Sequence, residues 1–164
     1  MKAIPVEMEI LLRAIEWEVE GYNLYNNLAS RFADKIQQEL FHNLAHEEVK
    51  HRQWLEDRLK EECKEKKISF DKVIKMELKD LTLKPLARTP FQNDDKVNHF
   101  PDPLTFSISF EFAMGHECKT IEMYEVLFQN VSAGSTSSLI QKLIEHEKEH
   151  IEFLQAEKAR LTLV

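Results

Sequence analysis

Two short segments of the chain carry residue types that bind divalent cations, and they carry them at the same spacing. Glu48 and His51 stand three residues apart, and so do Glu147 and His150. On a helix this spacing puts a carboxylate and an imidazole on one face, about one turn from each other. Leu44 and Leu55 flank the first pair, and Leu143 and Leu154 the second, so both pairs fall in the stripe that a bundle buries. Glu18 stands between Leu11 and Tyr25, and Glu117 between Phe110 and Tyr124. An unpaired charge in such a stripe costs on the order of several kcal/mol and does not normally occur. Four carboxylates and two imidazoles become intelligible once cations sit among them. Two divalent ions carry a charge matching four ionised glutamates, while neutral imidazoles complete the coordination. The expected metal ligands are therefore Glu18, Glu48, His51, Glu117, Glu147 and His150. Oxygen and nitrogen donors without thiolate suit Fe best, with Mn and Zn as the other candidates.

A single Glu-x-x-His proves little, because charged residues at that spacing are common on solvated faces. Here the pattern is doubled at an offset of 99 residues. In one ungapped register, Ala14, Glu18, Tyr25, Leu28, Leu44, Glu48, His51 and Leu55 are matched by Ala113, Glu117, Tyr124, Leu127, Leu143, Glu147, His150 and Leu154. All lie on one stripe of their helix, as expected of a duplicated helical hairpin with pseudo-twofold symmetry.

The elements that must position these residues follow from periodicity and punctuation. Pro5 opens an amphipathic helix over about residues 5–32. A short connection leads to a second helix over about 35–62, and short connections make antiparallel neighbours. Pro85, Pro90, Pro101 and the Asn93-Asp94-Asp95 run make 63–102 a long link, with a short helix at 70–81 as its one candidate element. Asp102 as cap and Pro103 as first helical residue open a third helix, to about 131. Ser132-Ala133-Gly134-Ser135 breaks it, and a fourth follows over about 136–161. The expected fold is all-α: a single-domain four-helix bundle of two repeated hairpins, with a long crossover between the second and third helices.

Composition agrees. The 164 residues are 43% hydrophobic and 31% charged with only three Gly and five Pro, which is bundle composition. A net charge of -7 with no segregated basic cluster argues against a nucleic-acid partner. No apolar run approaches the length of a membrane span. Cys63 and Cys118 form no C-x-x-C pair, and residues 1–20 lack the apolar core of a signal peptide; the expectation is a cytoplasmic protein.

Other candidates have plainer readings. Tyr25 and Tyr124 are either ordinary core aromatics or hydroxyl donors to a ligand carboxylate. His46, His116 and His146 sit about 100° or more around the helix from the ligand stripe and are expected to face solvent or a neighbouring helix. His42 and His99 show no partner pattern. Cys118 is expected to be a small buried hydrophobe. Trp17, Trp54, Phe110 and Phe153 are expected in the core or an interface.

One Glu from each of two helices and Glu-x-x-His from each of the other two is the ligand set of di-iron and di-manganese carboxylate bundles. The segments A-I-E-W-E-V-E-G-Y-N-L-Y-N-N-L-A and L-A-H-E-E-V-K-H, repeated as A-M-G-H-E-C-K-T-I-E-M-Y and L-I-E-H-E-K-E-H, resemble a rubrerythrin-type ferritin-like domain over about residues 8–60 and 107–160. The resemblance implies a non-haem di-iron protein, an oxidoreductase reacting with peroxide or dioxygen, that commonly forms homodimers. The other reading is an iron-handling, ferroxidase or structural-metal protein without turnover of another substrate. The sequence departs from the pattern at Thr120, where rubrerythrins carry an additional glutamate. It also shows no four-cysteine rubredoxin module, so electrons are expected from a separate donor protein or from Fe(II) itself.

Overall fold

The computed structural model describes residues 4–76, 100 and 104–162. Five helices follow in order: α1 (Val6–Ser30), α2 (Lys35–Lys66), α3 (Phe70–Val73), α4 (Phe106–Gln129) and α5 (Ser135–Thr162). No strand occurs among the described residues.

Helix ends are set by local chemistry. Asp34 opens α2 by accepting a hydrogen bond from the Gln37 N–H at 3.0 Å, satisfying one of the orphan donors of the first turn. The helix runs a turn past the expected residue 62, ending where Lys67 takes the left-handed conformation at φ 55°. Its N–H returns to the carbonyls of Cys63 and Lys64, the closure that glycine usually supplies. Lys64 and Lys66 in the last turn face the negative end of the helix dipole. Thr105 caps α4 by accepting from the Ile108 N–H at 3.1 Å, so α4 begins at Phe106. The expected start at Asp102 and Pro103 lies outside the described residues. The short helix expected over 70–81 is the single turn α3; residues 77–99 of the link, including His99, also lie outside them.

α1 packs along α2 and α4 along α5, and contacts within each hairpin far exceed those between hairpins. The core is divided in two. One apolar cluster gathers Leu11, Ile15, Leu55, Leu59, Leu127, Ile140 and Leu143; the other gathers Leu24, Leu28, Phe41, Leu44, Phe110 and Leu154. Each long helix passes from one cluster to the other, and the residue it carries between them is polar: Glu18 on α1, Glu48 and His51 on α2, Glu117 on α4, Glu147 and His150 on α5. Among the described residues, no helix is long and apolar enough to cross a membrane.

Candidate metal centre

The structure brings the six predicted side chains into one buried layer. Glu18, His51, Glu117 and Glu147 are 0% exposed, Glu48 1% and His150 7%. His51 Nδ1 lies 3.0 Å from Glu147 Oε1, 3.5 Å from Glu18 Oε2 and 3.8 Å from Glu48 Oε2. His150 Nδ1 mirrors it, at 2.8 Å from Glu147 Oε2, 3.3 Å from Glu117 Oε1 and 3.7 Å from Glu48 Oε1. The two imidazoles stack, ring centroids 5.4 Å apart.

These contacts resolve into two overlapping groups. Donor atoms of Glu18, Glu48, His51 and Glu147 lie within 4.8 Å of one another, and so do those of Glu48, Glu117, Glu147 and His150. Glu48 and Glu147 belong to both. Each group offers three carboxylates and one imidazole, and the shared pair would place two cations side by side.

A donor set built for cations should leave its atoms unsatisfied by protein partners, and this one does. Glu18 Oε2, Glu48 Oε1, Glu117 Oε2, both oxygens of Glu147, both nitrogens of His51 and His150 Nδ1 are buried with no hydrogen-bond partner. The short imidazole–carboxylate contacts are close enough for ion pairing but not aligned as hydrogen bonds. Buried polar groups ordinarily find partners, so the centre fits a pair of divalent ions.

Electrostatics within the layer are strained in both directions. Burial pushes the Glu48 carboxyl well above its ordinary range, and the charges of Glu147 and Glu18 push it further. Burial and Glu117 raise Glu147 to about 7 against the pull of the imidazoles. Burial would also raise Glu117, but His150 outweighs it and brings that carboxyl to about 2. Glu18 is likewise lowered: contacts with Glu48, His51 and Tyr124 overcome its burial. Burial opposes charge on the imidazoles, yet the facing carboxylates lift His51 to about 9 and His150 to about 10.

Both tyrosines are fully buried and each donates its hydroxyl to a carboxylate of the opposite hairpin, Tyr25 to Glu117 and Tyr124 to Glu18. Burial and the adjoining carboxylates push both phenols well above their ordinary range, so they remain protonated donors.

The other candidate side chains take different places around the centre. His116 faces a neighbouring helix: it is 2% exposed and stacks on Trp17 of α1 with centroids 5.9 Å apart. Space for it comes from Gly21, where an added Cβ would sit 2.8 Å from His116 Nε2 and 3.3 Å from Glu48 Oε2. Trp17 Nε1 donates to Thr120 Oγ1 at 2.6 Å, and that hydroxyl donates to the His116 carbonyl at 2.9 Å. The repeat offset relates Trp17 to His116 and Gly21 to Thr120, so the contact sits where the duplication has diverged. Cys118 is exposed rather than the small buried hydrophobe expected, and Phe153, 41% exposed, lies outside the core. His46 is exposed, and the partly buried His146 packs edge-on against His51 and Trp54.

Fold and centre together define a class: a helical bundle whose core holds a carboxylate and histidine cluster sized for two cations. Residues 9–158 match the family described as Rubrerythrin, and the chain belongs to it. The fold is also similar to a solved structure titled as a hypothetical protein from Pyrococcus furiosus. That pair shares 24% identity over 97% of this chain and 91% of the other, with a TM-score of 0.61. No curated protein matches the chain.

Proposed function

We propose that the protein is a non-haem di-iron oxidoreductase that reacts with peroxide or dioxygen, with Glu18, Glu48, His51 and Glu147 holding one ion and Glu48, Glu117, Glu147 and His150 the other. The observation that carries this reading is the sharing of Glu48 and Glu147 between two groups of unsatisfied buried donors. Adjacent ferrous ions would supply the two electrons that reduction of peroxide to water requires. The protein's part is orientation and exclusion of water. Tyr25 and Tyr124 fix one carboxylate each, and the apolar clusters close both ends of the layer. In the same reading the chain works in the cytoplasm as a homodimer and draws electrons from a separate donor protein.

Anaerobic loading with Fe(II), followed by peroxide or air, tests the proposal. Rapid oxidation that repeats when a reductant is supplied is the expected result; absence of any oxidation refutes it. Thr120, where rubrerythrins carry a further glutamate, favours a second reading as a ferroxidase or metal-handling protein, for which oxidation occurs once and stops.

A further inference from the structure

Glu47 precedes a member of both four-residue groups and belongs to neither. Its side chain is 36% exposed and pairs with Lys50 at 2.6 Å. Yet an oxygen of Glu47 and nitrogens of His51 and His150 all lie within 4.8 Å of one another. This third donor set has one side in water and the other made of two imidazoles that already face the buried carboxylates. His51 is fully buried, and neither of its ring nitrogens has a hydrogen-bond partner.

We propose that Glu47, His51 and His150 form an uptake site, where a divalent cation is captured from water before it passes inward. The inference rests on the two-metal reading above and adds to it a route and a residue. The six buried side chains are 7% exposed or less, so a hydrated cation must shed water to reach them. It must exchange water for protein donors in steps. Glu47 offers the first anionic oxygen at the surface, and the imidazoles offer the next donors on the way to Glu147 and Glu117. Lys50 occupies Glu47 until a cation displaces it.

A second approach to the layer argues for this choice by contrast. A cavity of about 420 Å³ between α1 and α2 ends at Glu18 and Glu48, and its outer walls are Val19, Tyr22, Val49, Arg52, Gln53 and Glu56. The outer oxygens of this cavity belong to the neutral side chains of Tyr22 and Gln53, the Arg52 guanidinium opposes a cation, and the Glu56 carboxylate is already paired with Arg52 at 2.7 Å.

Stopped-flow loading of the metal-free protein with Co(II), followed by absorbance, tests the proposal. Wild type should bind two Co(II) per chain; fewer than two refutes the two-metal reading itself. Glu47→Gln should load about tenfold more slowly, the scale on which a local charge steers an ion, and still finish at two. Lys50→Gln should load faster. Glu145→Gln, which removes an exposed acid outside the site, and Val49→Trp, which fills the other opening, should load at the wild-type rate. With two ions bound by wild type, the proposal is overturned if Glu47→Gln loads as fast as wild type or ends below two, or if Lys50→Gln loads no faster. Slowing of Glu145→Gln or Val49→Trp to the same degree as Glu47→Gln overturns it as well.

Discussion

Tyr25 on α1 reaches across the bundle to hold Glu117 on α4, and the repeat-related Tyr124 on α4 returns the same bond to Glu18 on α1. Each hairpin thereby orients a carboxylate that the other supplies. Tyr25→Phe should weaken the ion held by Glu117 and His150, and Tyr124→Phe the ion held by Glu18 and His51. A group that orients a ligand is worth about 10–100-fold in affinity, so chelator competition should show one weakened ion in each variant. Equal weakening of both ions in both variants would contradict the assignment.

Glu48 serves both donor groups, whereas His150 serves one. Glu48→Ala should therefore lose both ions and His150→Ala at least one, neither retaining two. Metal analysis after gel filtration decides it; full content in either variant rules out the ligand set.

Above about pH 5 the metal-free protein should lose stability as pH rises, whereas metal binding strengthens. His51 and His150 are raised from 6.5 to about 9 and about 10, so their stabilising effect is complete below pH 6.5 and disappears as pH rises through 9 to 10. Glu147, raised from 4.5 to about 7, acts in the same direction over a lower window. Glu117, lowered from 4.5 to about 2, stabilises above pH 4.5 and loses that effect as pH falls toward 2. The metal-free Tm should thus be highest near pH 5 and decline on both sides. Ions need neutral imidazoles and ionised carboxylates, so loading at pH 7 should release about two protons or more, measurable with an indicator in weak buffer.

Gly21 stands within van der Waals reach of His116 and Glu48. Alanine there should gain about 1 kcal/mol in helix propensity yet lose more, because overpacking a closed core costs about 1–3 kcal/mol. Adding His116→Ala should recover part of the loss, as a double-mutant cycle would show through a favourable interaction energy. Strict additivity would mean that the two residues do not touch.

The six converging side chains were legible because helical period and duplication impose the same stripe on four helices. His116 was not. Its angular position around α4 points away from the ligand stripe, and only the absence of a side chain at Gly21 lets α1 receive its ring. Cys118 fails for a related reason: residue type indicates a preference for burial, but which flank of a helix is covered depends on how closely two helices approach. Asp102-Pro103 and Thr105 both carry a helix-opening signal, and among the described residues it is Thr105 that caps α4.

Neither hairpin owns a whole coordination sphere. The first contributes Glu18, Glu48 and His51, the second Glu117, Glu147 and His150, and each group of four borrows at least one residue from the far side. A captured ion is consequently a rivet through the thinnest seam of the molecule, the sparse contact between the two hairpins. Loss of metal should loosen that seam first, so amide exchange would quicken along the α1–α4 and α2–α5 faces while each hairpin kept its own pairing.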